Sequence, residues 1–102
     1  MEMVTLGGKE VEIDEDGFIQ DPDIWNKEVA ADLAKTEGVD ELTEEHWKIV
    51  HYLRDYFIIN RTIPTVYETC SANDSNLEEL RELFPAGYRR GACRIAGLPF
   101  YG

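Results

Sequence analysis

The sequence predicts a mainly α domain with a small β part: a helical bundle with an N-terminal β-hairpin and a C-terminal arm. Three observations lead there. Gly7-Gly8 separates two short β-prone runs, Val4-Thr5-Leu6 and Lys9-Glu10-Val11-Glu12-Ile13. Apolar residues then recur at helical spacing from Trp25 to Phe84, punctuated by good capping residues, glycines and prolines. Finally, the nineteen residues Phe84 to Gly102 hold one cysteine and three arginines but no acid. A chain of 102 residues is suited to one domain with one modest core. We place the hairpin and its turn at residues 1–18, the helical body at 24–97 and the arm at 98–102.

A Gly-Gly pair fits a tight hairpin because both central positions can take positive φ. Val11 and Ile13 alternate with Glu10 and Glu12, so one face of the second strand is expected to be buried. Asp14-Glu15-Asp16-Gly17 reads as a turn, and it lacks the spaced ligands and closing glutamate of a calcium loop. Asp21-Pro22-Asp23 introduces a helix from about Ile24 to Glu37, stopped by Gly38, with Trp25, Val29 and Leu33 as its inward stripe. The next helix opens on Thr43 as N-cap. Glu44 and Glu45 sit at the positive end of its dipole, and Leu42 can staple against Trp47. Trp47, Val50, Leu53 and Phe57 trace its inward face, and it ends near Asn60. Pro64 breaks the chain, and Thr65 caps a short helix reaching about Cys70. Ser71 to Asn76 is a polar loop, and Leu77, Leu80 and Phe84 mark a further helical face before Pro85. A last helix runs from about Tyr88 to Ala96, ended by Gly97 and barred from continuing by Pro99.

The net charge of −11 opposes non-specific attraction to nucleic acid or anionic lipid. Sixteen of the twenty-one acids lie in residues 1–60, where they read as the solvated faces of the early elements. No apolar run approaches the ~20 residues that cross a bilayer, so membrane insertion is not expected. Two cysteines without a secretion signal point to a reducing, cytoplasmic setting.

The chemistry-bearing residues concentrate in the tail. A thiolate is the reactive form of cysteine, and neighbouring cations favour it. Cys93, flanked by Arg89, Arg90 and Arg94, is therefore the candidate reactive thiol, with the arginines as thiolate-stabilising or anion-binding groups. The competing reading is that Cys93 is a small core residue and that the arginines only solubilise the last helix. Cys70 has no basic neighbour and reads as structural. His46 and His51 stand five positions apart, about 140° around a helix, which does not suit shared zinc binding. No metal and no cofactor are expected.

Five segments in one order carry a resemblance. They are Asp14-Glu15-Asp16-Gly17-Phe18, Leu42 to Val50, Tyr52 to Phe57, Leu83-Phe84-Pro85-Ala86-Gly87 and Gly91 to Pro99. Together they resemble the DsrC/TusE family, which includes the gamma subunit of dissimilatory sulfite reductase and sulfur-relay proteins for tRNA thiolation. The resemblance implies a helical bundle with an N-terminal hairpin and a mobile C-terminal arm. It also implies sulfur carried as a persulfide, or as a trisulfide between two arm cysteines, of which Cys93 matches the upstream one. Two departures stand out. The penultimate cysteine of the family pattern is absent, and Tyr88 stands where a proline commonly follows the glycine matching Gly87.

The expected function is thus sulfur relay on Cys93, as a protein co-substrate or accessory subunit more than a stand-alone enzyme. The partners implied are sulfite reductase subunits, a sulfurtransferase or a membrane thiol-disulfide reductase. Leu98, Pro99, Phe100 and Tyr101 would form the partner-docking arm. The alternative is a regulatory or interaction module, with DNA binding opposed by the net charge.

Overall fold

The computed structural model describes residues 2–99. Strands β1 (Glu2–Leu6) and β2 (Lys9–Ile13) pair antiparallel, with Val4 opposite Val11 and Leu6 opposite Lys9. Gly7 and Gly8 take φ of 60° and 78°, the doubly positive turn that follows the right-handed strand twist. The Asp14 carboxylate then accepts the backbone N–H groups of Asp16 and Phe18, folding the chain back so that Ile19 bridges to Ile13. Val11 and Ile13 are buried and Glu10 and Glu12 exposed, so the strand's alternation decides which face meets the helices.

Helix α1 (Lys27–Thr36) starts later than its sequence pattern suggests. A 3₁₀ turn, Pro22–Ile24, comes first, and the Asn26 side chain caps the helix by accepting from Val29 N. Trp25 consequently lies outside the helix. Helix α2 (Glu44–Asn60) is the long central element, capped by Thr43 and ended by Arg61 in the left-handed conformation. Helices α3 (Val66–Ala72) and α4 (Leu77–Leu83) are short and capped by Thr65 and Asn76. Burial of Val29, Leu33, Ile49, Val50, Leu53, Leu80 and Phe84 forms one continuous core with β2 and the C-terminal segment.

His46 joins two of these helices. Its Nδ1 accepts from Thr43 N at 3.1 Å, so the ring proton sits on Nε2, which donates to Leu83 O at 2.7 Å. The N-cap box of α2 and the C-terminal end of α4 are thereby held by one imidazole, whose ring also meets Phe84 edge-on. His46→Ala removes both bonds and leaves a carbonyl unpaired, so chemical denaturation should show a loss of about 2 kcal/mol.

The last helical stretch differs from an ordinary α-helix. Tyr88–Cys93 forms a π-helix, opened by Gly87 at φ 97° and followed by a single α turn. Gly97 N–H to Arg94 O and Leu98 N–H to Cys93 O then close a Schellman-type stop. Two side chains cover the carbonyls left over at that end. Trp25 Nε1 donates to Ile95 O and Arg54 Nη1 to Ala96 O, both at 2.8 Å, while the Arg54 guanidinium lies 4.1 Å above the Trp25 ring. The root of the C-terminal arm is thus clamped to the body. Leu98 and Pro99 are buried, so the first half of the expected docking arm belongs to the core. Phe100 and Tyr101 lie outside the described residues.

Candidate functional site: a thiol in a cationic groove

The loop from α2 to α3 and the π-helix face each other across a groove of about 720 Å³. Phe18, Ile63, Pro64 and Val66 supply apolar wall, and Arg61 and Arg89 supply its two cations. Tyr88 and Cys93 line the inner side, where Cys93 exposes 1% of its surface.

The π-helix explains how these two residues meet. In an α-helix positions i and i+5 point about 140° apart. The wider i→i+5 turn brings them to one side instead, and the Tyr88 hydroxyl favours the ionised form of the Cys93 thiol. That hydroxyl also lies 2.5 Å from Pro64 O and 3.0 Å from Thr69 Oγ1. Pro64 O can only accept, so Tyr88 donates there, and to favour a thiolate its proton must swing to sulfur and abandon the carbonyl.

Burial dominates the thiol's acidity. It pushes Cys93 from 9.0 up to about 12, against smaller opposing contributions from the Tyr88 hydrogen bond and the Arg89 charge. Burial likewise pushes the Tyr88 phenol up. The expectation that three arginines ionise this sulfur is therefore corrected in two respects. Desolvation outweighs the cations, and only Arg89 of the three acts on the thiol. Arg90 pairs with Asp16 at 3.3 Å on the surface. Arg94 donates to Gly17 O at 2.9 Å and pairs with Glu37, tying the π-helix to the turn after the hairpin. Its guanidinium packs against Gly17, which takes φ 86°, a left-handed conformation that favours glycine.

Cys70 is a free, buried thiol on α3 that does not line the groove. Burial, and then the Glu79 carboxylate, push its pKa up. Sequence reasoning missed Arg61 and the groove wall from Ile63 to Val66. Their only local signal was the Pro64 break, which says that a loop exists but not what it faces.

Residues 5–100 match the family described as DsrC like protein. The chain belongs to the DsrC family. Among DsrC relatives, the dissimilatory-type sulfite reductase subunit gamma of Nitratidesulfovibrio vulgaris is 39% identical over 97% of this chain and 94% of its own length. A sulfurtransferase TusE homolog of Haemophilus influenzae is 34% identical over 95% of this chain and 94% of its own. The crystal structure of the oxidised DsrC gamma subunit of dissimilatory sulfite reductase from Archaeoglobus fulgidus superimposes with a TM-score of 0.87 at 45% identity, covering 99% of this chain and 97% of that one. The hairpin, the helical order and the C-terminal segment are therefore the DsrC fold. Among the described residues no helix is long and apolar enough to cross a membrane.

Proposed function

We propose that this chain is a DsrC-type sulfur-relay protein in which Cys93 receives sulfur as a persulfide and passes it to a partner. The observation that carries this reading is the Cys93 thiol lining a groove beside Arg89, in a chain aligned over 97% of its length with a sulfite reductase gamma subunit. A thiolate attacks the outer sulfur of a donor persulfide, and the same exchange in reverse unloads it. The resting thiol is neutral, so reaction waits for a donor that enters the groove and allows the proton to leave.

The partners are sulfite reductase subunits or a sulfurtransferase, with a membrane thiol-disulfide reductase as a route for reduction. Ile59 and Tyr67 support contact with a macromolecule. They are 78% and 71% exposed, and in sequence they flank the groove-lining stretch Arg61 to Val66 on either side. Exposed aromatic and aliphatic side chains beside a reactive group suit docking. Arg90 and Arg94 are engaged with Asp16 and Glu37, which leaves the regulatory, DNA-binding alternative without support from them.

Incubation with a persulfide donor followed by intact-mass measurement tests the assignment. The wild-type chain and Cys70→Ser should each gain one sulfur atom, and Cys93→Ser should gain none. Loading that survives Cys93→Ser would sink the proposal.

A further inference from the structure

We infer that the groove is a binding site for a low-molecular-weight persulfide bearing carboxylates, which Arg61 and Arg89 hold while its terminal sulfur meets Cys93. The inference rests on the relay reading and adds the class of donor. Charge is the first argument. The chain carries −11, yet among the described residues those lining this groove include two arginines and no carboxylate. Glu68, in the first turn of α3, is not among them; its oxygens accept from Thr65 and Tyr56. Among the described residues no carboxylate pairs with Arg61. An anionic occupant is what such a lining selects.

Size and depth give the second argument. The volume of about 720 Å³ falls in the range of roughly 300–1,000 Å³ typical of small-molecule sites. Cys93 is almost fully covered, so a donor must be slender to reach it. A small persulfide can enter whole, its methylenes against Phe18, Ile63 and Val66.

The reaction balances without an outside oxidant. The Cys93 sulfur attacks the terminal sulfur of R–S–SH, the old S–S bond breaks, and its electron pair leaves on the R–S sulfur. The Cys93 proton ends on that leaving group. Cys93–SH and R–S–SH become Cys93–S–SH and R–SH, with no net oxidation.

Arg61 makes the test clean. It is the C-cap of α2 at φ 58°, a left-handed position that asparagine tolerates, so Arg61→Asn should remove the charge and keep the fold. With S-methylglutathione as an unreactive probe and glutathione persulfide as donor, the full chain should bind the first saturably and load from the second. Arg61→Asn and Arg89→Gln should each weaken both by about tenfold, the loss of one charge-assisted contact. Loading of wild-type Cys93 from a persulfidated sulfurtransferase is measured alongside as the second donor. Absence of saturable S-methylglutathione binding, or equal loading from glutathione persulfide in the wild type and both variants, overturns the site. Should neither donor load wild-type Cys93, the relay reading falls, while probe binding still decides the site.

Discussion

Gly97→Ala is expected to destabilise the protein by about 3 kcal/mol. Two costs combine. Gly97 holds φ at 72°, where an added Cβ costs roughly 1–2 kcal/mol. That Cβ would also collide with Trp25 Cδ1, so the indole must move, and forced overpacking costs typically about 1–3 kcal/mol. Moving the indole breaks the Trp25–Ile95 hydrogen bond and strips Arg54 of its ring, so the helix end and the arm root are released together. Denaturant titration should show a lowered midpoint, and hydrogen exchange should accelerate at Leu98 ahead of the core of α2. A stability within experimental error of the wild type would show that the clamp does not hold the arm.

The second large effect concerns the acidity of Cys93. At neutral pH its alkylation in the folded chain should be about a thousandfold slower than in the unfolded chain, because so little of it is thiolate. The rate should climb about tenfold per pH unit toward pH 12. Stability follows with a definite sign. The folded-state value lies above the unfolded one, so the native chain keeps a proton that the unfolded chain releases between about pH 9 and 12. The stabilising contribution is complete below pH 9 and lost as pH rises through 12. Tyr88→Phe should push the thiol higher still, since the thiolate then has no hydroxyl to turn toward it, and should slow alkylation about another tenfold. The ultraviolet absorbance of the thiolate reads the titration directly. A Cys93 titrating at the ordinary 9 would refute the burial argument.

Most of the fold was legible because its signals are local. Gly7-Gly8, the Thr43 and Thr65 caps, and the apolar spacing of Val50, Leu53 and Phe57 each act within a few residues, so their outcome depends little on the remainder of the chain. Trp25 illustrates the limit. Its four-residue spacing to Val29 looked helical, yet Asn26 caps the helix one position later, and the indole is used to hold Ile95 from a distance of seventy residues in sequence.

The site was half legible. A cysteine among arginines in an acid-free tail marked the sulfur proposed for the relay, and the five ordered segments marked the family. What sequence alone settled was therefore the scaffold, with the Cys93 sulfur as its candidate for the relay, because helix caps, turn glycines and apolar periodicity operate over short range. Which cations face that atom, and whether it is charged, came from packing. The π turn rotates Cys93 against Tyr88, Arg90 and Arg94 are drawn to Asp16 and Glu37, and Arg61 arrives from another element. A thiol's charge is decided by all the groups and all the water around it in space, and neighbours along the chain are only a few of those.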